Sequence, residues 1–371
     1  MVVKKQPPVH GGIVFQAARE LGTEVEKIKD FSANINPLGM PPGARLALVR
    51  ALDQLQHYPE MYAETLVKQI AESCHQPESR ILAGNGSTEL IYLLVRVLKP
   101  ENSLIVAPAF TEYQRAAKLY GGQVDFCHTL AEHDFLPRPG VIIKALAQKP
   151  DLLFLGNPNN PTGSLLSPED MIQVLETARR QGTICVVDEA FIDFVEGDSS
   201  IESCESWLKS FENLVILRSL TKIYSLAGLR CGYLLANAGL VAELRRHQEP
   251  WNVNSLAIAA AGEALADQAF VEESCRFIAG ERNFLRRELS RFSALRLFPS
   301  RANYLLMKLD SQYSTRKLSD FLRRRYQLLI RLCPDFTGLD DSYIRVAVKD
   351  RENNQVLIRG MEDFFAIGSI F

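Results

Sequence analysis

Ser219-Leu220-Thr221-Lys222-Ile223-Tyr224-Ser225-Leu226-Ala227-Gly228-Leu229-Arg230-Cys231-Gly232-Tyr233 decides how this chain is read. One lysine sits among hydroxyls and small residues. The apolar run Leu214-Val215-Ile216-Leu217 precedes it and Tyr233-Leu234-Leu235-Ala236 follows. Two strands therefore flank a loop that carries an amine and, further on, the guanidinium of Arg230. That is how a site presents a lysine for a Schiff base and an arginine for a phosphate. The competing reading is a solvated surface charge, so the rest of the chain must decide.

Upstream, the region from 103 to about 250 alternates short β-branched runs with helical patterns. Strands are expected at Leu104-Ile105-Val106-Ala107, Gln123-Val124-Asp125-Phe126, Leu152-Leu153-Phe154-Leu155, Ile184-Cys185-Val186-Val187 and Val215-Ile216-Leu217. Near-continuous apolar strands separated by helices imply an α/β fold, with a mostly parallel sheet covered on both faces. Ligands of such sheets sit beyond the carboxyl ends of the strands. That rule marks Gly156 to Gly163, Asp188-Glu189-Ala190-Phe191, Tyr113 and Lys222 together. Asp188 ends a buried run, where a carboxylate is costly unless paired; it reads as a helix cap, an ion-pair partner or the holder of a protonated ring nitrogen.

Arg80-Ile81-Leu82-Ala83-Gly84-Asn85-Gly86-Ser87-Thr88-Glu89-Leu90 is a strand, a glycine turn and a helix start. The arrangement offers backbone N–H groups and a positive helix end to an anion, although an ordinary N-cap has the same sequence. Nearer the N-terminus, His10 and Asn34 lie on tight turns, where local backbone hydrogen bonding is the plain alternative. Pro59 interrupts two helical patterns between 41 and 75.

The character changes after residue 251. An amphipathic stretch, roughly 254–292, leads into an α+β pattern. Its strands are expected at 295–298, 304–307, 328–332 and 342–348, and its helices at 315–326 and 352–366. Arg331 and Arg345 fall inside apolar strands, where each needs either an ion-pair partner or an anionic ligand. Three units are expected: an N-terminal segment at 1–40 joining the small domain and the site, a large domain at 41–265 and a small C-terminal domain at 266–371.

Composition excludes several classes. The 371 residues are 47% hydrophobic and 23% charged, with a formal net charge of −2, so neither a nucleic-acid footprint nor a basic membrane-binding patch stands out. Arg323-Arg324-Arg325 reads as a solvated helix face. The seven cysteines and six histidines show neither CxxC nor HxxxH spacing. Reduced thiols, no metal and a cytoplasmic setting are therefore expected. Met1 to Pro8 lacks the apolar core of a signal peptide.

The combination resembles the fold-type I pyridoxal-phosphate enzymes of the aspartate aminotransferase superfamily, in their histidinol-phosphate aminotransferase-like branch. The carrying motifs are Asn157-Pro158-Asn159-Asn160-Pro161-Thr162-Gly163, Asp188-Glu189-Ala190, Ser219-Leu220-Thr221-Lys222 and Gly228-Leu229-Arg230-Cys231-Gly232-Tyr233. His10-Gly11-Gly12, the run from Phe31 to Met40, Phe191-Ile192-Asp193-Phe194, Pro250-Trp251, Arg301-Ala302-Asn303-Tyr304 and Leu329-Ile330-Arg331 are similar to the threonine-phosphate decarboxylases of cobalamin biosynthesis.

The resemblance implies a seven-stranded sheet, pyridoxal 5′-phosphate as cofactor and a homodimer. Lys222 would carry the cofactor as its Schiff base and Asp188 would keep the ring nitrogen protonated. Asn160 would bond the ring oxygen, Tyr113 would stack on the ring, and Ser87, Thr88, Ser219, Thr221 and Arg230 would hold the phosphate. Tyr58 would reach the neighbouring subunit's cofactor. His10, Gly11, Asn34 and Arg331 would take a substrate phosphate. Arg345 would take its carboxylate in a bidentate contact, with help from Asn160. The implied reaction is decarboxylation of L-threonine O-3-phosphate, the alternative being transamination of histidinol phosphate. Phe191 departs from the aminotransferase pattern, which carries Tyr there. Losing that hydroxyl removes a donor to the ring oxygen, so the Lys222 imine is expected to keep its proton to higher pH than with Tyr.

Overall fold

A computed structural model describes residues 11–197 and 203–368. A two-residue strand, Lys29–Asp30 (β1), comes first. The large sheet then takes Ile81–Gly84 (β2), Asn102–Ala107 (β3), Gln123–His128 (β4), Leu152–Gly156 (β5), Ile184–Asp188 (β6), Leu214–Ser219 (β7) and Gly232–Leu235 (β8). Its order is β2-β8-β7-β6-β5-β3-β4, and only β8 runs antiparallel to its neighbours. This is the expected seven-stranded, mostly parallel sheet.

The unbroken apolar strands follow from burial on both faces. Side chains alternate across the sheet. Cys185 and Val187 face one core with Leu214 and Ile216, while Val186 faces the other with Val215 and Leu217. Leu66, Val174 and Ala260, from helices Glu64–Cys74, Pro168–Gln181 and Ser255–Ala266, close the first core. Helices Ser87–Leu98, Thr111–Leu119 and Ala238–His247 close the second through Leu94, Ala116 and Leu244.

The C-terminal strands are Leu295–Leu297 (β9), Tyr304–Leu309 (β10), Leu328–Leu329 (β11), Arg331–Leu332 (β12) and Tyr343–Ala347 (β13). The single strand expected at 328–332 is two. β11 pairs in parallel with β1, whereas β12 joins the antiparallel sheet β12-β13-β10-β9. Breaking pairing at Ile330 lets one run of chain tie the N-terminal segment to the small sheet. The long amphipathic stretch also divides. Asp267 accepts the Phe270 N–H at 3.0 Å and starts a second helix, Gln268–Leu289. Among the described residues, no helix is long and apolar enough to cross a membrane.

Losing that cap leaves first-turn N–H groups unsatisfied. Asp267→Ala is expected to destabilise the protein by ~1 kcal/mol, read as a lower urea midpoint with activity retained.

Candidate active site

The strand ends converge on a cavity of about 530 Å³ lined by Lys222, Asp188, Asn160, Arg230, Arg331 and Arg345, among others. At its floor, Asp188 ends β6 and is 8% exposed. Tyr113 Oη donates to Asp188 Oδ2 at 2.6 Å, and the Ala190 N–H donates to Oδ1 at 2.9 Å. Burial raises the Asp188 pKa, while both donors and the Lys222 ammonium work against that rise.

The stacking role expected of Tyr113 is not what the geometry offers. Its ring is 2% exposed and lies parallel to Phe154, at 5.0 Å between centroids. Its hydroxyl is committed to the carboxylate, so Tyr113 positions Asp188 from behind. Phe110, which ends the same loop, lines the cavity together with Tyr113 and adds a second ring there.

Lys222 lies in a single helical turn, Leu220–Ile223, rather than an irregular loop. The turn is fastened from outside. Asn36 N–H donates to Lys222 O at 3.1 Å, Asn36 Nδ2 to Ile223 O at 2.8 Å, and Ser225 Oγ to Asn36 O at 2.7 Å. These partners of Asn36 lie far along the chain, which no local pattern reveals. Burial, then the charges of Arg230 and Arg345, lower the Lys222 pKa to about 8 against the opposition of Asp188. A pKa near 8 gives far more free amine near neutral pH than an ordinary lysine has, as a nucleophile or base requires.

Around the anion cradle, Gly86 has φ +80° and precedes the helix that Ser87 and Thr88 open. A Cβ on Gly86 would stand 2.5 Å from an Arg230 nitrogen, and one on Gly232 would stand 2.8 Å from Ser87 N. The two glycines therefore let Arg230 and β8 close on the helix start. Ser219, the Cα partner of Gly232, brings its Oγ to 2.8 Å from Thr221 Oγ1.

The far side carries two arginines. Arg331 and Arg345 are Cα partners on β12 and β13, each 5% exposed. Arg331 donates to Asp335 Oδ2 at 2.6 Å and lies 5.0 Å from the Phe336 ring centroid. Arg345 donates to Asn160 Oδ1 and, at 2.8 Å, to Ser32 O; its Nε is buried without a partner. Asn34 is buried beside them, and its side-chain oxygen also lacks a partner. Gly11 lines the cavity, where a Cβ would sit 2.1 Å from Ser32 O. His10 lies outside the described residues.

Tyr58 does not line this cavity. It is 81% exposed and stacks on Trp251, at 4.9 Å between centroids. Phe191, which lines the cavity, meets Tyr304 edge-on at 5.0 Å, and Tyr304 Oη donates to Asn159 O at 2.8 Å.

In the cofactor-free protein, the pH midpoint for labelling the Lys222 amine should lie near 8. Asp188→Asn removes the stabilising negative charge and should lower that midpoint. Arg345→Gln removes a repelling charge and should raise it. Peptide mass spectrometry after amine labelling across pH checks both signs.

The model of the family described as aminotransferase class I and II matches residues 26–361. A threonine-phosphate decarboxylase from Salmonella typhimurium is 37% identical over 358 residues, covering 95% of this chain and 96% of that protein. An adenosylcobalamin biosynthesis bifunctional protein from Leptospira interrogans is 33% identical over 362 residues, covering 96% of this chain and 41% of its own longer one. The crystal structure of histidinol-phosphate aminotransferase from Clostridium acetobutylicum superposes with a TM-score of 0.85 at 32% identity, covering 93% of this chain and 100% of that one. With the sheet, the strand-end lysine and the strand-end aspartate in place, these matches show that the chain belongs to the aminotransferase class I and II family.

Proposed function

We propose that the protein decarboxylates L-threonine O-3-phosphate with pyridoxal 5′-phosphate, giving 1-amino-2-propanol O-2-phosphate for cobalamin biosynthesis. The observation that carries the substrate assignment is the Arg331–Arg345 pair, buried side by side on neighbouring strands of the cavity wall. Two adjacent guanidiniums suit a substrate with two anionic groups on one short carbon frame. Phosphothreonine has a phosphate and a carboxylate so placed, whereas histidinol phosphate has no carboxylate. The 37% identity with a threonine-phosphate decarboxylase points the same way.

The residues present fit the cofactor. A ring with a basic nitrogen suits Asp188, whose two oxygens are already oriented by Tyr113 and Ala190. A phosphate suits the helix opened by Ser87 and Thr88, with Ser219, Thr221 and Arg230 around it. Asn160 and Phe110 would engage the ring oxygen and the ring face. When bound, the cofactor supplies an electron-withdrawing ring that accommodates the electron pair left on Cα.

The chain's own groups then do the following. Arg331, with Asn34 and Gly11, holds the substrate phosphate. Arg345 directs the carboxylate. The Cα–carboxylate bond breaks, CO2 leaves, and Lys222 Nζ delivers the proton that replaces it on Cα. Arg345 and Arg331 together would fix how the substrate lies in the cavity, and that orientation would decide whether this bond or the Cα–H bond breaks.

We also propose a cytoplasmic homodimer. Leu46, Val49, Leu52, Leu55 and Met61 are each at least 45% exposed near Tyr58, an apolar surface that a second copy would cover. Tyr58, too exposed to serve its own cavity, would then reach the partner's. The domain limits at 41–265 and 266–371 are part of the same reading.

Incubating the loaded enzyme with L-threonine O-3-phosphate and no keto acid should release one CO2 per aminopropanol phosphate. Glutamate formation from histidinol phosphate and 2-oxoglutarate, without CO2 from phosphothreonine, would overturn the assignment. Arg331→Gln should lower kcat/KM for the phosphorylated substrate by about 100-fold or more, chiefly through KM, because it removes a charge-assisted phosphate contact.

A further inference from the structure

Arg331 is fixed on the cavity wall before any anion reaches it. Its terminal nitrogens donate to Leu332 O and, at 2.6 Å, to Asp335 Oδ2, and its guanidinium lies 5.0 Å from the centroid of the Phe336 ring. A guanidinium carries more N–H groups than these contacts use, so donors remain for an anion in the cavity that Arg331 and Phe336 line. Asp335 is not among the lining residues, so it grips Arg331 from outside the cavity. Its side chain is 27% exposed and its Oδ1 is buried without a partner.

The turn that carries Asp335 closes on its own backbone. Phe336 N–H donates to Cys333 O at 3.2 Å, and Leu339 N–H to Phe336 O at 2.9 Å. The turn also rests on the large domain. Gly338 has φ +91°, and a Cβ there would stand 3.1 Å from His128 Nδ1 at the end of β4, while Thr337 borders a small cavity with Phe110 and Phe126. None of these contacts uses the Asp335 carboxylate. Its strong contact is with the residue assigned above to the substrate phosphate.

In L-threonine O-3-phosphate that phosphate is bonded to Cβ, next to the carbon that keeps an electron pair when CO2 leaves. If the Cβ–O bond lies parallel to that pair, a Cα–Cβ double bond forms, the Cβ–O bond breaks and phosphate departs with the electrons. The aminopropene left behind isomerises and takes up water, giving propanal and ammonia. The torsion about Cα–Cβ decides between this loss and simple protonation of Cα. With the amine and carboxylate already held, the anchor at the phosphate sets that torsion. We infer, resting on the function proposed above, that Asp335 is a positioning residue that fixes Arg331 and so keeps the substrate phosphate on its carbon while CO2 leaves.

The test gives L-threonine O-3-phosphate to the pyridoxal-phosphate-loaded enzyme, unaltered and as Asp335→Ala, Asp335→Asn and Asp335→Glu, and counts CO2, phosphate and propanal. Asp335→Ala is expected to raise phosphate and propanal, in equal amounts, by about ten-fold or more relative to CO2. Asp335→Asn keeps an oxygen for Arg331 and should raise them less, and Asp335→Glu should restore most of the original ratio. A side chain that only supported its turn would lower the rate and leave the ratio alone. Isothermal titration of the same proteins with 3-phosphoglycerate, which has both anionic groups and no amine, reads the anchor without turnover. Asp335→Ala should weaken that binding about ten-fold, with recovery in Asp335→Glu. A phosphate-to-CO2 ratio unchanged in both Asp335→Ala and Asp335→Asn, or an unchanged affinity for 3-phosphoglycerate, would overturn the inference and leave the decarboxylase reading standing. No CO2 from the unaltered enzyme would overturn both.

Discussion

A carboxylate held at the bottom of an apolar cavity governs this structure. Asp188 is pushed by burial toward the neutral acid, and only the Tyr113 hydroxyl, the Ala190 N–H and the charge of Lys222 hold it as an anion. An unpaired buried charge would cost several kcal/mol. The carboxylate therefore needs a cationic partner above it, and Lys222 and a protonated ring nitrogen are the two that fit. Because β6 and β7 run in parallel and adjacent, Asp188 pairs with Leu217 just before Lys222 begins its turn. The distance between acid and amine is thus set by sheet register, and flexible side chains have little say in it.

The opposite wall poses a like-charge problem. Arg331 and Arg345 face each other across an antiparallel pair, an arrangement that destabilises a sheet when unrelieved. Relief comes from Asp335, the Ser32 carbonyl, the Asn160 side chain and the faces of Phe336 and Tyr304. Only Asp335 among these partners carries a full negative charge, so the wall stays short of anion until substrate arrives. The N-terminal segment takes part directly, since Ser32 accepts from Arg345 while β1 rides on β11. Splitting the strand at Ile330 makes that possible: the same five residues hold the segment and present Arg331.

Much of this was legible in the chain because parallel strands write themselves as apolar runs and place chemistry at their ends. Lys222, Asp188 and Asn160 stand where those runs stop. Local pattern could not report contacts made across the fold. The partners of Asn36 in the Lys222 turn lie far downstream, and nothing near residue 36 announces them. Tyr113 was misjudged for a related reason: sequence gives a side chain's chemistry but not its direction, and one turn of helix separates a ring in the cavity from a hydroxyl beneath it. The apparent single strand at 328–332 has one hydrophobic signature, although its two halves serve different sheets.

The grip on the substrate carboxylate bears on which bond breaks. A carboxylate that departs as CO2 loses its charge in the transition state, so a strong ion pair with it stabilises the ground state more and slows the reaction. Transamination has no such penalty, since the carboxylate keeps its charge throughout. Arg345 already donates once from each terminal nitrogen, to Asn160 and to Ser32, which leaves Nε–H and a second N–H on each terminal nitrogen. A guanidinium anchored at both terminal nitrogens is held in one plane, which fixes the direction from which its remaining N–H groups can meet a carboxylate. In the proposed reaction the phosphate assigned to Arg331 keeps its charge throughout, so that contact can be as tight as geometry allows. Strong binding at the end that does not react, and light guidance at the end that does, is the division that favours loss of CO2.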